Sequence, residues 1–377
     1  MPTAQTVDTP PLLARTRSDP AQRVEGRKIE AVQVLRGVAA LAVVALHAMA
    51  IERKYSGGDM LLPEWFRFGA SGVDLFFVIS GFVMVTVTRG RFGRINEVLR
   101  FLWGRVTRIY PTYWFYFFIT LAVFLWQPSW VNTQLHQQAD LWASFLLLPT
   151  DTLPLVMVAW SLVNELWFYC VFAILLFFPE RALLPSLCVW AAVILAINLF
   201  VDISGFTPAG RIMAHPFTCE FIIGSLVALF VRTEYARKLP AGLFWGMLIV
   251  VAVGLILADA ASVLDGSRLK RALVIGGLFG ALLASCVVLE ARRSLRIPAF
   301  MRLSGDMSYT VYLSHVLVLS VIGKIWFAIG PASGLWDNVI ACAIMFTAVV
   351  VYGWIAYRLI EKPMVDLSHR LRARLIG

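Results

Sequence analysis

Charge is what this chain has little of. Of its 377 residues, 15% are Asp, Glu, Lys or Arg, against about 25% in a soluble domain. Hydrophobic residues reach 59% and the mean hydropathy is +0.77, more apolar surface than a water-soluble core can hide. Cysteine is scarce too. Cys170, Cys188, Cys219, Cys286 and Cys342 lie in or beside apolar runs and form no CxxC pair. That excludes a disulfide scaffold, speaks against a metal site, and leaves them as small core residues. Acidic residues number 23 against 33 basic ones, a net charge of +10. The excess does not point to nucleic acid, because the charges sit in short segments between apolar runs, where insertion orientation accounts for them. Short alternating strands of the barrel kind are missing. What remains is an all-α, polytopic membrane helix bundle.

Residues 1–28 hold no apolar run, which argues against a cleavable signal peptide. Pro2, Pro10, Pro11 and Pro20 with Arg15, Arg17, Arg23, Arg27 and Lys28 read as a disordered basic tail over 1–31. The transmembrane domain then covers 32–363, and 364–377 is a cytoplasmic basic tail. A span needs about 20 mostly apolar residues. Ten runs qualify: 32–51, 69–88, 109–127, 158–178, 183–201, 212–231, 242–260, 272–289, 308–329 and 338–358. The stretch 139–149 is too short to cross and reads as an interfacial or re-entrant helix. Ten crossings place 24 Lys and Arg on the side of the termini and 7 on the other, with Arg36 and Lys324 inside spans. This asymmetry puts both termini in the cytoplasm.

Ionisable residues inside spans are costly and mark sites. Arg36 and His47 are 11 residues apart, close to three helical turns, hence on one face and ~16 Å apart along the axis. His47 titrates near neutrality and suits a general base. Arg105 and Arg108, at i and i+3, share a face where their guanidinium forks suit phosphate. Ser161, Glu165 and Tyr169 line one face at i, i+4 and i+8, and Glu165 is placed to orient and charge-stabilise His47. Ser161 is a candidate for a covalent acyl relay. Tyr312 and His315 share a face with Ser308; His315 reads equally well as a satisfied core histidine. Asp74 caps its helix or pairs with an arginine, a structural role. Tyr110 and Trp114 have the character of interfacial anchors. Glu220 and Lys324 are intramembrane without a surrounding motif.

In order, the segments Arg36-x10-His47, SGVDLFFVISGF (71–82), RVTRIYPTYW (105–114), WSLVNELWFY (160–169), SYTVYLSH (308–315) and RLIEKP (358–363) together resemble the membrane acyltransferase-3 family, bacterial enzymes that O-acylate surface carbohydrates. The resemblance implies an acyl-CoA co-substrate, usually acetyl-CoA, reached from the cytoplasm; no bound cofactor is expected, and no metal, since no His, Cys or carboxylate cluster stands at ligand spacing. It implies a functional core containing Arg36, His47 and Glu165, with Arg105 and Arg108 also important. The implied acceptor is an exopolysaccharide, a lipopolysaccharide O-chain or a lipid-linked sugar, and the implied place is the bacterial inner membrane among lipids, without nucleic acid. Some members carry a fused extracellular hydrolase-like domain; without one, direct transfer to the sugar or transfer through a separate partner is expected. A homo-oligomer or a place in polysaccharide assembly machinery stays open. So do two other readings: a proton-coupled transporter of a small molecule or lipid-linked sugar, and a scaffolding subunit.

Overall fold

The computed structural model describes residues 29–58, 60–131, 139–330 and 335–375. Of the basic tail expected over 1–31, residues 1–28 lie outside them, while Glu30 and Ala31 are not tail but the first turn of a helix, with Ala31 buried. The described chain is helical, with no strand among the described residues. Its helices are α1 (Glu30–Tyr55), α2 (Gly72–Val87), α3 (Ile95–Trp126), α4 (Leu141–Leu146), α5 (Trp160–Leu175), α6 (Leu183–Phe200), α7 (Pro208–Met213), α8 (Phe217–Phe230), α9 (Glu234–Lys238), α10 (Ala241–Ala260), α11 (Arg268–Ala291), α12 (Ala299–Asp306), α13 (Ser308–Ile329), α14 (Leu335–Ala356) and α15 (Lys362–Leu375). Among the described residues ten segments are long and apolar enough to cross a membrane, and they overlap the ten apolar runs of the sequence. The segment after residue 363 continues as helix through Leu375.

Boundaries follow local chemistry. Ile29 has no side-chain oxygen to cap α1. The orphan N–H groups of Glu30 and Ala31 instead donate to the Glu290 carboxylate at the end of α11, at 2.9 and 2.7 Å. α3 begins at Ile95, well before the apolar run that announces it, and its 32 residues extend ~48 Å, more than a bilayer core of about 30 Å. Arg100, Arg105 and Arg108 are therefore part of a helix that overshoots the apolar layer, not of a loop.

Two helix pairs lie parallel at close range. α2 and α8 touch backbone to backbone: a Cβ on Gly81 would stand 1.9 Å from the Phe221 carbonyl oxygen, and one on Gly224 would stand 1.8 Å from that of Val78. Small residues permit that approach, as expected where lipid supplies no hydrophobic drive. α1 runs beside α12 and α13 in constant register. Gly305 sits on Gln33, and Gly323 on Ile51 and Tyr55.

The short stretch before α5 settles into the bundle. α4 is capped by Asp140, whose carboxylate accepts from Ala143 N at 2.9 Å, and ends at left-handed Leu147. Its carbonyls are met by donors from the middle of α3: Tyr113 OH to Ser144 O, Trp114 Nε1 to Phe145 O at 3.1 Å, and Tyr110 OH to Leu146 O at 2.9 Å. Trp114 stands twelve residues before Trp126, roughly 18 Å along the axis. This is the re-entrant arrangement, tolerated because protein satisfies the irregular backbone. Tyr110 and Trp114 thus clamp the re-entrant segment. Two of the cysteines depart from the core as well: Cys170 and Cys188 are exposed on the helix surface.

Candidate active site

A polar seam runs through the bundle where α1, α2, α3, α5 and α13 meet. At its lower end, nearer Glu30, lie three arginines. Arg108 of α3 donates to Glu361 at 2.5 Å and lies 5.4 Å over the Tyr309 ring. Glu361 sits in the π-turn Tyr357–Glu361 between α14 and α15. It also accepts from Thr310 N at 3.2 Å and from the Thr310 hydroxyl. Arg105 stacks over Phe101 and Tyr169, at 5.6 and 5.7 Å, and its Nε has no hydrogen-bond partner. Arg36 lies in electrostatic range of Arg108, Glu361, Glu165 and Tyr169, yet no described residue forms an ion pair with it. Three guanidiniums against the two carboxylates of Glu165 and Glu361 leave one positive charge in excess. Unlike Arg108, neither Arg36 nor Arg105 is spent on a carboxylate.

Glu165 accepts from Ser80 Oγ of α2 at 3.0 Å and from the Tyr169 hydroxyl one turn on. It does not reach His47, contrary to expectation. The reason is register. Ser161 is level with Tyr312, their hydroxyls 2.7 Å apart. From that level α5 carries Glu165 toward the Glu30 end, while α13 carries His315 toward the Tyr55 end, leaving them roughly 10 Å apart along the bundle.

His47 instead meets the second histidine. His315 Nε2 lies 3.2 Å from His47 Nδ1, with ring centroids 4.9 Å apart at 64°. His315 is fully buried and His47 half-buried. Each Nδ1 also faces the carbonyl one turn back, Val43 O at 2.9 Å and Val311 O at 3.1 Å. Between the histidines and Glu165, Tyr312 OH donates to Val158 O at 2.9 Å, at the foot of the re-entrant segment.

Of the expected residues, Arg36, His47, Arg105, Arg108, Ser161, Glu165, Tyr169, Tyr312 and His315 gather along this seam. Asp74 does not. It is fully buried and takes a two-pronged bond from Arg271 of α11, at 2.8 and 2.6 Å, beside Glu220. This is the arginine-pairing alternative, in a separate structural cluster. Lys324 lies 4.1 Å over the Trp130 ring, away from the seam. Four site residues were not anticipated: Ser80, Tyr309, Thr310 and Glu361. All stand inside segments already singled out, 71–82, 308–315 and 358–363. An acidic residue at the edge of the last span was the available signal for Glu361.

A multi-pass helix bundle with a buried histidine and clustered arginines marks an intramembrane functional site. The chain belongs to the acyltransferase-3 family: the family's acyltransferase domain matches residues 29–358. It is similar to the exopolysaccharide production protein ExoZ of Rhizobium meliloti (strain 1021), 32% identical over 83% of this chain and 95% of the relative. It also resembles the acyltransferase MdmB of Streptomyces mycarofaciens, 26% identical over 90% and 92% of the two chains. Nodulation protein 10 of Rhizobium leguminosarum bv. viciae is 24% identical over 85% and 89%. No solved structure matches the chain. The protein is an O-acyltransferase enzyme of the membrane.

Proposed function

We propose that this enzyme moves an acyl group, acetyl foremost, from cytoplasmic acyl-CoA to a hydroxyl of a surface glycan, in the bacterial inner membrane. The acceptor class rests on the relative ExoZ, whose name ties it to exopolysaccharide production. The orientation rests on the 24-to-7 split of basic residues. The domain is 32–363, between a basic N-terminal tail and a basic C-terminal segment.

One observation carries the reading. Arg36 and Arg105, uncommitted to any carboxylate, stand at one end of a seam whose other end holds an imidazole. Guanidiniums suit the phosphates of CoA, which compensate the excess positive charge. Arg108, held by Glu361, shapes the seat and stiffens it. The ~16 Å from Arg36 to His47 suits an extended pantetheine arm. His47 Nε2 takes the proton of the acceptor hydroxyl as its oxygen attacks the thioester carbonyl. The C–S bond then breaks and the thiolate takes that proton back from His47, so the enzyme returns unchanged. Ser161 has Tyr312 and Val158 O as partners and neither imidazole nor carboxylate. A serine without a base is a poor nucleophile, which favours direct transfer over a covalent relay.

The test uses full-length protein in proteoliposomes with radiolabelled acetyl-CoA and an extracted surface glycan. CoA release that needs the glycan, with no label on denatured protein, is the expected result. His47→Ala lowers kcat by about 10²–10⁴-fold. Wild-type turnover in that variant sinks His47 as base, and label retained on denatured protein sinks direct transfer.

A further inference from the structure

The contact between the histidines determines where their protons sit. A carbonyl oxygen only accepts, so the short contacts to Val43 O and Val311 O require a proton on each Nδ1. A neutral imidazole has one N–H. His315 Nε2 is therefore a lone pair, and it shares the single Nδ1–H of His47 with Val43 O, at 3.2 and 2.9 Å. The reverse assignment, with the proton on each Nε2, sets a lone pair against a carbonyl oxygen at both residues. The bond a ring makes at one nitrogen decides what the other can do. With Nδ1 occupied, the lone pair of His47 is on Nε2, and no described residue hydrogen-bonds to that atom.

What holds His315 in place is equally specific. It is fully buried, its Nδ1 is tied to its own helix, and its ring lies 6.0 Å from that of Tyr312. The Tyr312 hydroxyl is engaged with Val158 O and Ser161 and so does not compete for Nε2. The parallel register of α1 and α13, set where Gly305 and Gly323 meet α1, fixes the two rings at one level.

We propose that His315 is a positioning residue for His47. This rests on the reading of His47 as general base. His315 Nε2 accepts from His47 Nδ1–H beside Val43 O, reinforces the tautomer whose Nε2 is free, and accepts more strongly once His47 becomes the imidazolium. No proton passes to His315. The place that a carboxylate holds in a hydrolase triad is filled by a neutral ring, which needs no charge to be buried.

The decisive measurement is the nitrogen NMR spectrum of full-length protein in nanodiscs, labelled with ¹⁵N-histidine, with His47→Gln used to assign the His47 signals. The wild type shows His47 protonated on Nδ1 and bare on Nε2. A proton on Nε2 overturns the proposal outright, whatever the activity. Turnover supplies a second reading. A lost hydrogen bond to a charged ring costs about 1.5–3 kcal/mol. His315→Leu is thus expected to lower kcat about 10–100-fold, with KM for acetyl-CoA unchanged and the His47 signals shifted. His315→Gln sets a carbonyl oxygen near the place of Nε2 and restores most of that loss, which a packing role would not do. Wild-type kcat in His315→Leu while His47→Ala is inactive overturns the positioning role and leaves the base intact. Full activity in His47→Ala removes the base reading, and the spectrum still reports the pairing.

Discussion

Arg108 and Glu361 stand 253 positions apart in the chain, and their side chains meet at 2.5 Å. Glu361 is fully buried and Arg108 30% exposed. The bond ties the middle of α3 to the turn between α14 and α15, and Thr310 fastens the same carboxylate to α13. Removing one partner of a buried pair strands the other, a cost of about 3–5 kcal/mol. Glu361→Ala should lower the thermal unfolding midpoint in detergent by roughly 4–6 degrees or reduce folded yield. Glu361→Gln, which keeps hydrogen-bonding oxygen and nitrogen in place, should lose less. An unchanged midpoint for Glu361→Ala would contradict a locking role.

Arg36 and Arg105 make a different prediction, because neither holds a carboxylate. Each hydrogen bond to a charged group is worth about 1.5–3 kcal/mol. Arg36→Ala and Arg105→Ala should each raise KM for acyl-CoA by about 10–100-fold and change the unfolding midpoint little. Steady-state kinetics at two salt concentrations checks this. Binding in the wild type should weaken with salt, and the variants should show a shallower dependence.

Asp74 and Arg271 join α2 to α11 away from the seam. Asp74→Ala should cost about 3–5 kcal/mol, since it removes the carboxylate that holds Arg271 by two hydrogen bonds. Replacing both, Asp74→Leu with Arg271→Met, should be milder than either single change. Thermal unfolding of the three variants completes the cycle. Any folded variant should keep kcat near that of the wild type, in contrast to His47→Ala.

Gly81 and Gly224 permit the contact of α2 with α8, and any side chain there collides with backbone. Either Gly81→Ala or Gly224→Ala should force the helices apart and displace Ser80 from Glu165, with folded yield in detergent as the readout. Gly104 on α3 has nothing within 4 Å of an added Cβ. Gly104→Ala should be neutral or should stabilise by up to about 1 kcal/mol, through helix propensity alone.

Much of the architecture was legible because lipid is an unforgiving solvent. All ten spans could be read from apolar run length, since every backbone polar group must be satisfied inside a helix of about bilayer length. Arg36, His47, Arg105, Arg108, Glu165 and His315 stood out for the same reason: ionisable groups in such helices are rare. The start of α3 was misplaced because Arg94, Arg100 and Arg105 hide a helix that outruns the apolar layer.

Partnership was not legible. Periodicity within a helix reports which residues share a face, as with Ser161, Glu165 and Tyr169. It says nothing about the register between helices. Glu165 was matched to His47 on span order alone, and the depth at which α5 begins, set by the re-entrant segment beneath Val158, carries it toward Ser80 and Tyr169 instead. The sequence by itself determined the class of solvent, the number of crossings and the short list of charged residues. Only the tertiary structure decided that His47 pairs with His315, that Arg108 belongs to Glu361, and that Arg36 and Arg105 stay free. Those choices depend on angstrom-scale register between helices far apart in the chain, set by glycine contacts and carbonyl clamps with no local sequence period.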